Sequence, residues 1–412
     1  MSNSFTVTQY ITNYAIAQFV NNIQFTKMAS RKFEKFFTTE KYASGQTVNI
    51  RLTNNFIPGF GPTVTPNGVQ DRYIPLVIEE QINGPLSFDS QELTLDVKSE
   101  KSLNILDMYV KPYCVAISNA ADLYQISKLL TINNFVGTAG TLVNSIDIVN
   151  NASANLTARG VPLADRYCGV NIPTGASIKN SMKANFTPNI NEGVVKTGFI
   201  ADIYGIEFFE TANLGYHTSG TGGGGSPTNG LIPSGTVSAP VSSGNTITIT
   251  GLPVSTTGVF LAGDIIQLAI TQSVNLVTLQ PTGNLMSFSV LANVNSDSSG
   301  NAVVTVNPSI ISDNTSPYMN VSNVIGAGEN VNLVASHNVG YLLHKDALQT
   351  AMPMMKELGA GVDTSYARFD EKHSLSLRYS EGSIILNDLN VKRLDMLIGS
   401  ICLSDYGCRI VG

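Results

Sequence analysis

The chain has 412 residues, 43% hydrophobic and only 13% charged, with a formal net charge of −6. Such a length sustains more than one core, and the charged fraction is about half the ~25% usual in globular proteins. No basic stripe of the kind a sequence-reading nucleic-acid binder needs is present, and no apolar run approaches the ~20 residues of a membrane-spanning helix.

The charge is unevenly spread. No Lys or Arg occurs from Thr197 to His344, a stretch that holds Asp202, Glu207, Glu210, Asp264, Asp297, Asp313 and Glu329. The remainder carries 24 basic against 23 acidic residues, so the chain reads as a composite. Few charges also mean weak repulsion and little desolvation cost between copies, which favours extensive association.

In chain order, "TQYITNYAIAQFVNNIQF" spaces Ile11, Ala15, Phe19 and Ile23 four apart, predicting a helix over 8–25. A short basic segment with Lys27, Arg31, Lys32 and Lys35 follows, read as a solvated face or a partner-binding arm. "GQTVNIRLTNNF" alternates Val48, Ile50 and Leu52 like a half-buried strand. Residues 54–85 carry Pro58, Pro62, Pro66, Pro75 and Pro85, which suits a long stiff excursion and forbids a central strand. A limb with so little core of its own should rest on a neighbour. "PLVIEEQI" and "ELTLDV" return as strands.

The strongest helical pattern is "KPYCVAISNAADLYQISKLL", with Pro112 in its first turn and Tyr113, Ala116, Ile117, Ala120, Leu123, Tyr124 and Leu130 on one apolar face. A second helix through "TLVNSIDIVNNASANLTA" should stop near Gly160. "VVKTGFIADIYGIEFFETANL" is strand-like. Beyond it "GYHTSGTGGGGSPTNG" spells a G-x-G-x-x-G through Gly220, Gly222 and Gly225. A phosphate cradle needs a helix opening after the glycines, whereas Pro227 and Pro233 follow with strands behind them. Gly222, Gly223, Gly224 and Gly225 are therefore expected to form the flexible hinge of an insertion. Residues 231–309, with "NTITITGLP", "GDIIQLAI", "MSFSVLANV" and "NAVVTVNP", read as an antiparallel β module. Helical pattern is expected again through "SHNVGYLLHKDALQTAMPMM", and "HSLSLRYSEGSIIL" returns to strand.

Chemistry is sparse. The H-E-x-x-H, G-x-S-x-G and Lys-containing P-loop patterns are absent. His337 and His344, seven apart, could share a helix face, with Asp346 the sole nearby ligand for a metal. Cys168 beside Arg166 could be an activated thiol, yet no histidine lies near it in sequence. The four cysteines (Cys114, Cys168, Cys402, Cys408) read as reduced core thiols, a Cys402–Cys408 pair being the alternative. No catalytic, cofactor or metal site is expected. The N-terminus has no secretory-signal pattern, so synthesis is expected in the cytosol.

Several segments, taken in order, resemble a tailed-phage major capsid protein of the Hong Kong 97-like α+β fold, in the subgroup of the short-tailed Salmonella phage coat protein with an inserted β domain. They are "KFEKFFTTEKYASGQTVNIRL" before the Pro/Gly limb, the helix from Pro112, and "GVPLADRYCGVN", similar to a P-x-x-D-R turn. "TGFIADIYGIEFFETANLGYHTSGT" is similar to a G-F-x-x-Y-G strand. Arg393, Asp395, Leu397, Gly399, Arg409 and Ile410 match a terminal R-x-D-x-L-x-G … R-I pattern.

The resemblance implies an N-terminal arm at 1–50, an E-loop at 51–96, a peripheral and axial core at 97–230 and 310–412, and an inserted domain at 231–309. It implies a non-enzymatic subunit of an icosahedral shell around double-stranded DNA, assembled in the host cytoplasm from hexamers and pentamers. A separate scaffolding protein and a portal are implied partners, without a membrane or sequence-specific DNA binding. No Lys lies between Lys41 and Lys98, so Lys–Asn welding through the E-loop is not expected. Arg51, Asp71, Arg72, Glu79 and Glu80 are the candidate subunit-interface residues, named because charges are scarce there. The rival reading is a β-rich phage tail, decoration or surface-binding protein without enzymatic activity.

Overall fold

The computed structural model describes residues 7–33, 47–52, 55, 71–89, 111–182, 204–359, 364–370, 375–384 and 389–412. They fall into two units. The first comprises Met1–Arg51, Tyr73–Ser127 and Leu348–Ile401; the second comprises Leu52–Arg72, Lys128–Ala347 and Cys402–Gly412.

The first unit begins with α1 (Val7–Asn22) and the one-turn α2 (Phe25–Met28). Ala15, Phe19 and Ile23, three of the four residues of the sequence stripe, are buried. Strands β1 (Thr47–Arg51) and β2 (Tyr73–Val77) pair antiparallel, Arg51 opposite Tyr73 and Thr47 opposite Val77. Next come β3 (Glu80–Asp89) and the helix α3 (Lys111–Leu129). "ELTLDV" lies outside the described residues.

The inward face of α3 is rotated from the one the sequence suggests. Leu123 is exposed, whereas Cys114, Ile117, Ala121, Asp122 and Gln125 are buried. Two polar side chains face inward because each meets partners there. Asp122 accepts from Gln24 N (2.9 Å), Thr26 N (3.1 Å) and Thr26 Oγ1 (2.8 Å), which satisfies donors at the start of α2 that a helix cannot satisfy itself. Burial nonetheless raises the Asp122 carboxyl above its ordinary pKa, against the lowering pull of these bonds. Gln125 bonds Thr350 and Ser400.

Phe19 of α1, Ile23 just after it and Ile117 of α3 pack against Leu377, Tyr379, Leu394, Met396 and Ile398. These last residues come from a five-stranded sheet formed by β15 (Leu348–Ala351), β16 (Thr364–Asp370), β17 (Leu375–Ile384) and β18 (Leu389–Cys402), with β3 along β18; the β16–β17, β17–β18 and β18–β3 pairs are antiparallel.

The second unit holds β4 (Phe135–Gly137), α4 (Ile146–Ala158), β5 (Arg166–Val170), α5 (Ile172–Met182), β6 (Ile206–Glu210) and the short β7 (Tyr216–His217). α4 opens on Ser145, which accepts from Asp147 N, and stops before Gly160 at φ +91. α5 carries no clear helical pattern in the sequence, because Pro173 and Gly175 interrupt its first turns. Asn171 caps it by accepting from Thr174 N (3.1 Å), and Gly175 is where Glu210 lies against the helix. β14 (His337–His344) and β19 (Gly407–Val411) complete a sheet of order β4-β19-β14-β5-β6, with β7 also on β14.

The segment around 336–355, expected to be helical, is β14, a single 3-10 turn (Lys345–Ala347) and β15. β14 lies between β19 and β5 and is buried on both faces, so its middle, VGYLL, shows no alternation and its period does not distinguish helix from strand. An odd separation along a strand puts His337 and His344 on opposite faces, so they share no ligand site.

The β module is a closed barrel of order β10-β11-β12-β9-β8-β13, formed by β8 (Leu231–Val237), β9 (Ser243–Thr250), β10 (Ile265–Val274), β11 (Pro281–Val290), β12 (Ala302–Ile311) and β13 (Asn330–Val334). Alternate residues fill it: Ile247 and Ile249, Ile266 and Leu268, Met286, Phe288 and Val290, Val304 and Val306, Val331 and Leu333. The expected end at 309 falls inside β12. Without β13, which pairs both β10 and β8, the barrel would keep two open edges. Closure therefore carries the module to Val334.

Candidate functional site

The candidate interface residues mark the root of the Pro-rich limb. Arg51 closes β1, Asp71 and Arg72 precede β2, and Glu79 and Glu80 open onto β3; all five are exposed. Within the first unit, Tyr124 Oη donates to Glu79 Oε1 (3.0 Å). Within the second unit, Leu52 N donates to Arg72 O (2.9 Å), the Arg72 guanidinium lies 4.6 Å from the centroid of Tyr318, and Asn55 Nδ2 donates to Leu276 O (2.8 Å). At both described ends, then, this limb touches the barrel of its own chain, where a sibling alone was expected. Residues 56–70 lie outside the described residues.

The return strand of the limb is held firmly. β3 pairs with β18 from Glu80↔Ile398 to Asp89↔Leu389. Beneath this pairing Asp395 is fully buried; it accepts from Arg378 Nη2 (2.6 Å), Arg393 Nε (2.5 Å) and Gln81 Nε2 (3.2 Å). Gln81 ties β3 to the ion pairs of β17 and β18. Spacing foreshadows part of this: Arg393 and Asp395, two apart on a strand, share a face. Arg378 and Gln81 carry no signal, because they reach Asp395 only through strand register. Gly399, four residues further along β18, sits against the Val77 carbonyl and Ile78, where any side chain would collide with backbone.

Arg409, also of the terminal motif, is fully buried. It donates from Nη1 to Gly263 O (2.9 Å) and from Nη2 to Leu130 O (2.8 Å), so within the second unit a cation joins the barrel entrance to Leu130 through neutral carbonyls. Nearby, the buried Asp264 accepts from His217 Nε2 (2.9 Å), Gly220 N (3.0 Å) and Leu261 N (2.7 Å). The His217 and His337 rings lie 5.4 Å apart. Burial, with Arg409 and His217 close by, pushes the His337 pKa down to about 3. His337 is thus a neutral core side chain.

Arg166, the first residue of β5, makes five hydrogen bonds to neutral groups: Pro162 O, Ser153 O, Ser153 Oγ, Thr157 Oγ1 and Val161 O. These acceptors satisfy the guanidinium and tie β5 to α4 and the turn after it, a structural role that calls for no catalysis. Cys168 beside it is buried, and desolvation raises its pKa well above the thiol range, so it is a core thiol and not an activated one. Cys408 is likewise pushed up to about 12 by burial. Among the described residues, no group of three or more His, Cys, Asp or Glu is placed to hold a metal ion.

Gly222, Gly223, Gly224 and Gly225 differ from the flexible hinge expected. Thr221 N donates to Gly258 O (3.2 Å), Gly222 N to Val259 O (2.9 Å) and Gly224 N to Thr221 O (3.0 Å). A Cβ on Gly223 would strike the Pro233 carbonyl oxygen. The glycines let this strand of chain lie against the barrel, and Gly222, at φ +53, turns where a side chain would be strained.

Comparison with known proteins gives one match over nearly the whole chain: residues 5–408 fit the family model described as P22 coat protein, gene protein 5. Among curated proteins, sequence comparison finds no match. Solved structures similar to the chain include Mycobacterium phage Che8 (11% identity, 94% of this chain and 90% of that one, TM-score 0.45). The capsid of Ralstonia phage GP4 is another (10% identity, 94% and 88%, TM-score 0.44). A virus-like particle from Pyrococcus furiosus covers 98% of this chain and 99% of its own at 8% identity, TM-score 0.39.

Proposed function

We propose how the work is divided within a chain that belongs to the P22 coat-protein family, and that is therefore a tailed-phage major capsid protein of the Hong Kong 97-like fold whose copies form an icosahedral shell. The finer reading is that the limb of 51–96 spans onto a neighbouring copy. The observation that carries it is the rigid root: ten register pairs between β3 and β18 and the buried Asp395 network fix a limb whose stretch from Leu52 to Gln70 holds three prolines and no charge. A lever built this way transmits contact from its tip to its base, and many modest contacts repeated around a closed point group give cooperative closure.

The barrel is read as a folding partner of its own subunit. Reciprocal bonds join Asn133 and Ser287, Nδ2 to O (2.7 Å) and Oγ to O (2.7 Å), and Ile265 and Val334 pack on Val411. The shell is read as enclosing double-stranded DNA without sequence-specific contacts, with a separate scaffold and portal, synthesis in the host cytoplasm and no enzymatic role. The test is deletion of 56–70. The variant should keep the wild-type circular dichroism spectrum yet elute as monomer, while the full chain forms particles by size exclusion and negative-stain microscopy. Normal shells from the deletion would refute the lever.

A further inference from the structure

Within the first unit, the N-terminal segment covers a face of a sheet and then its edge. Ala15, Ile16 and Phe19 of α1 pack on Leu375, Leu377 and Tyr379 of β17. The chain turns through α2 and reaches β15, the end strand of that sheet. There Ser30 makes a parallel bridge to Gln349: Ser30 N donates to Leu348 O (2.8 Å) and Thr350 N donates to Ser30 O (2.9 Å). Phe33 then packs on the cluster of Ile50, Leu76, Ile78 and Ala351. All four residues of β15 are buried, although the strand stands at the sheet's end.

The sequence of β15 makes this cover consequential. From Leu348 to Met355 the chain carries no charge, and an uncharged strand with open N–H and C=O groups is a template for pairing with other chains. Residues 24–33 put Lys27 and Lys32 on the outside instead, both exposed, and lysine at a sheet edge opposes such pairing. The fastening is sparse. Asp122 Oδ2 accepts from Gln24 N, and Oδ1 accepts from Thr26 N and Thr26 Oγ1. Arg31 Nη2 donates to Thr26 O (3.1 Å), and its Nη1 lies 3.7 Å from Met352 Sδ. Ser30 Oγ and Gln24 Oε1 are closed off without a hydrogen-bond partner, whereas buried polar atoms are normally satisfied. One bridging residue is also a weak hold beside the seven register pairs that join β16 to β17.

We infer that residues 24–33 form a detachable strap that guards the β15 edge of the unassembled chain against pairing with a second copy, and that Asp122 fastens it. Loss of the strap uncovers Leu348 O and Thr350 N together, while the strands beneath stay paired. The inference concerns the single chain and does not depend on the lever reading above.

Hydrogen exchange of the dilute, unassembled full-length chain tests it. In the native protein the Thr350 amide should exchange faster than the amides of β17, through an opening that leaves the sheet intact. Exchange of both at one rate would overturn the strap. Asp122→Asn keeps the side chain's shape, but its NH2 must then face either Gln24 N or the two Thr26 donors. The variant should speed Thr350 exchange at least ~10-fold, the effect of losing a hydrogen bond to a charged group, and leave β17 unchanged. On standing, it should form sedimentable aggregates that bind thioflavin T, while the native chain stays in solution. Unchanged Thr350 exchange would overturn the fastening, and a freed edge without such aggregates would overturn the guard. Should Asp122→Asn unfold outright, the order of exchange in the native chain decides the matter. Either failure leaves the capsid function standing.

Discussion

The Asp395→Asn substitution probes the root of the limb most directly. In the native chain the carboxylate is fully buried, with Arg378 Nη2 at 2.6 Å and Arg393 Nε at 2.5 Å. The two arginines are not equivalent. The Arg393 side chain is 41% exposed, so its pairing is screened and worth ~0–1 kcal/mol. The Arg378 side chain is 8% exposed, and breaking a buried pair by removing one partner costs ~3–5 kcal/mol because a charge is left uncompensated. Arg378 keeps one other bond, to Lys356 O (2.9 Å), which offsets part of this. The expected loss is therefore about 3 kcal/mol.

The chain has no Trp, so urea unfolding of dilute, unassembled protein is best followed by circular dichroism and tyrosine fluorescence. Two units can give two transitions; only that of the unit containing β17 and β18 should shift. The double variant Asp395→Leu with Arg378→Met should recover most of the loss, since apolar replacement of a buried pair is often neutral. A single-variant loss below ~1 kcal/mol, or a double variant no better than the single, would refute the claim that this pair holds the limb root.

His337 makes stability depend on acidity in a defined direction. Its folded pKa of about 3 lies below the unfolded value of 6.5, so the folded chain binds fewer protons, and stability falls as pH drops from ~6.5 toward 3 by at most ~1.4 kcal/mol per pH unit. The groups facing it are His217, paired with Asp264, and Arg409. Melting temperatures from pH 7 to 5 should decline less steeply for His337→Gln, and identical slopes would discount the residue. For the glycine segment, Gly223→Ala forces a methyl onto the Pro233 carbonyl, whereas Gly225→Ala meets nothing within 4 Å. The first should cost ~1–3 kcal/mol by overpacking and the second should be neutral in thermal unfolding; equal effects would restore the hinge.

Local pattern decided a good deal. The four-residue spacing of Ala15, Phe19 and Ile23, the Pro112 start of α3, the Gly160 stop of α4 and the alternation of the barrel strands are short-range signals, written by the pitch of a helix and the pleat of a strand. The family likeness was also legible, because Asp395, Gly399 and Arg409 occupy positions at which burial, close approach and an unpaired cation admit few other residues. What pairing and burial decided could not be read along the chain. β14 resembles a helix until β19 and β5 flank it. Nothing local marks Asp122 as an inward-facing acid, since its donors come from α2. The glycine run looked loose until the barrel backbone lay against it, and β13 joined the barrel because two open edges needed closing. In each case the deciding partner is remote in sequence, and the free energy of satisfying a buried polar group or a strand edge exceeds the local preferences that the residue order alone expresses.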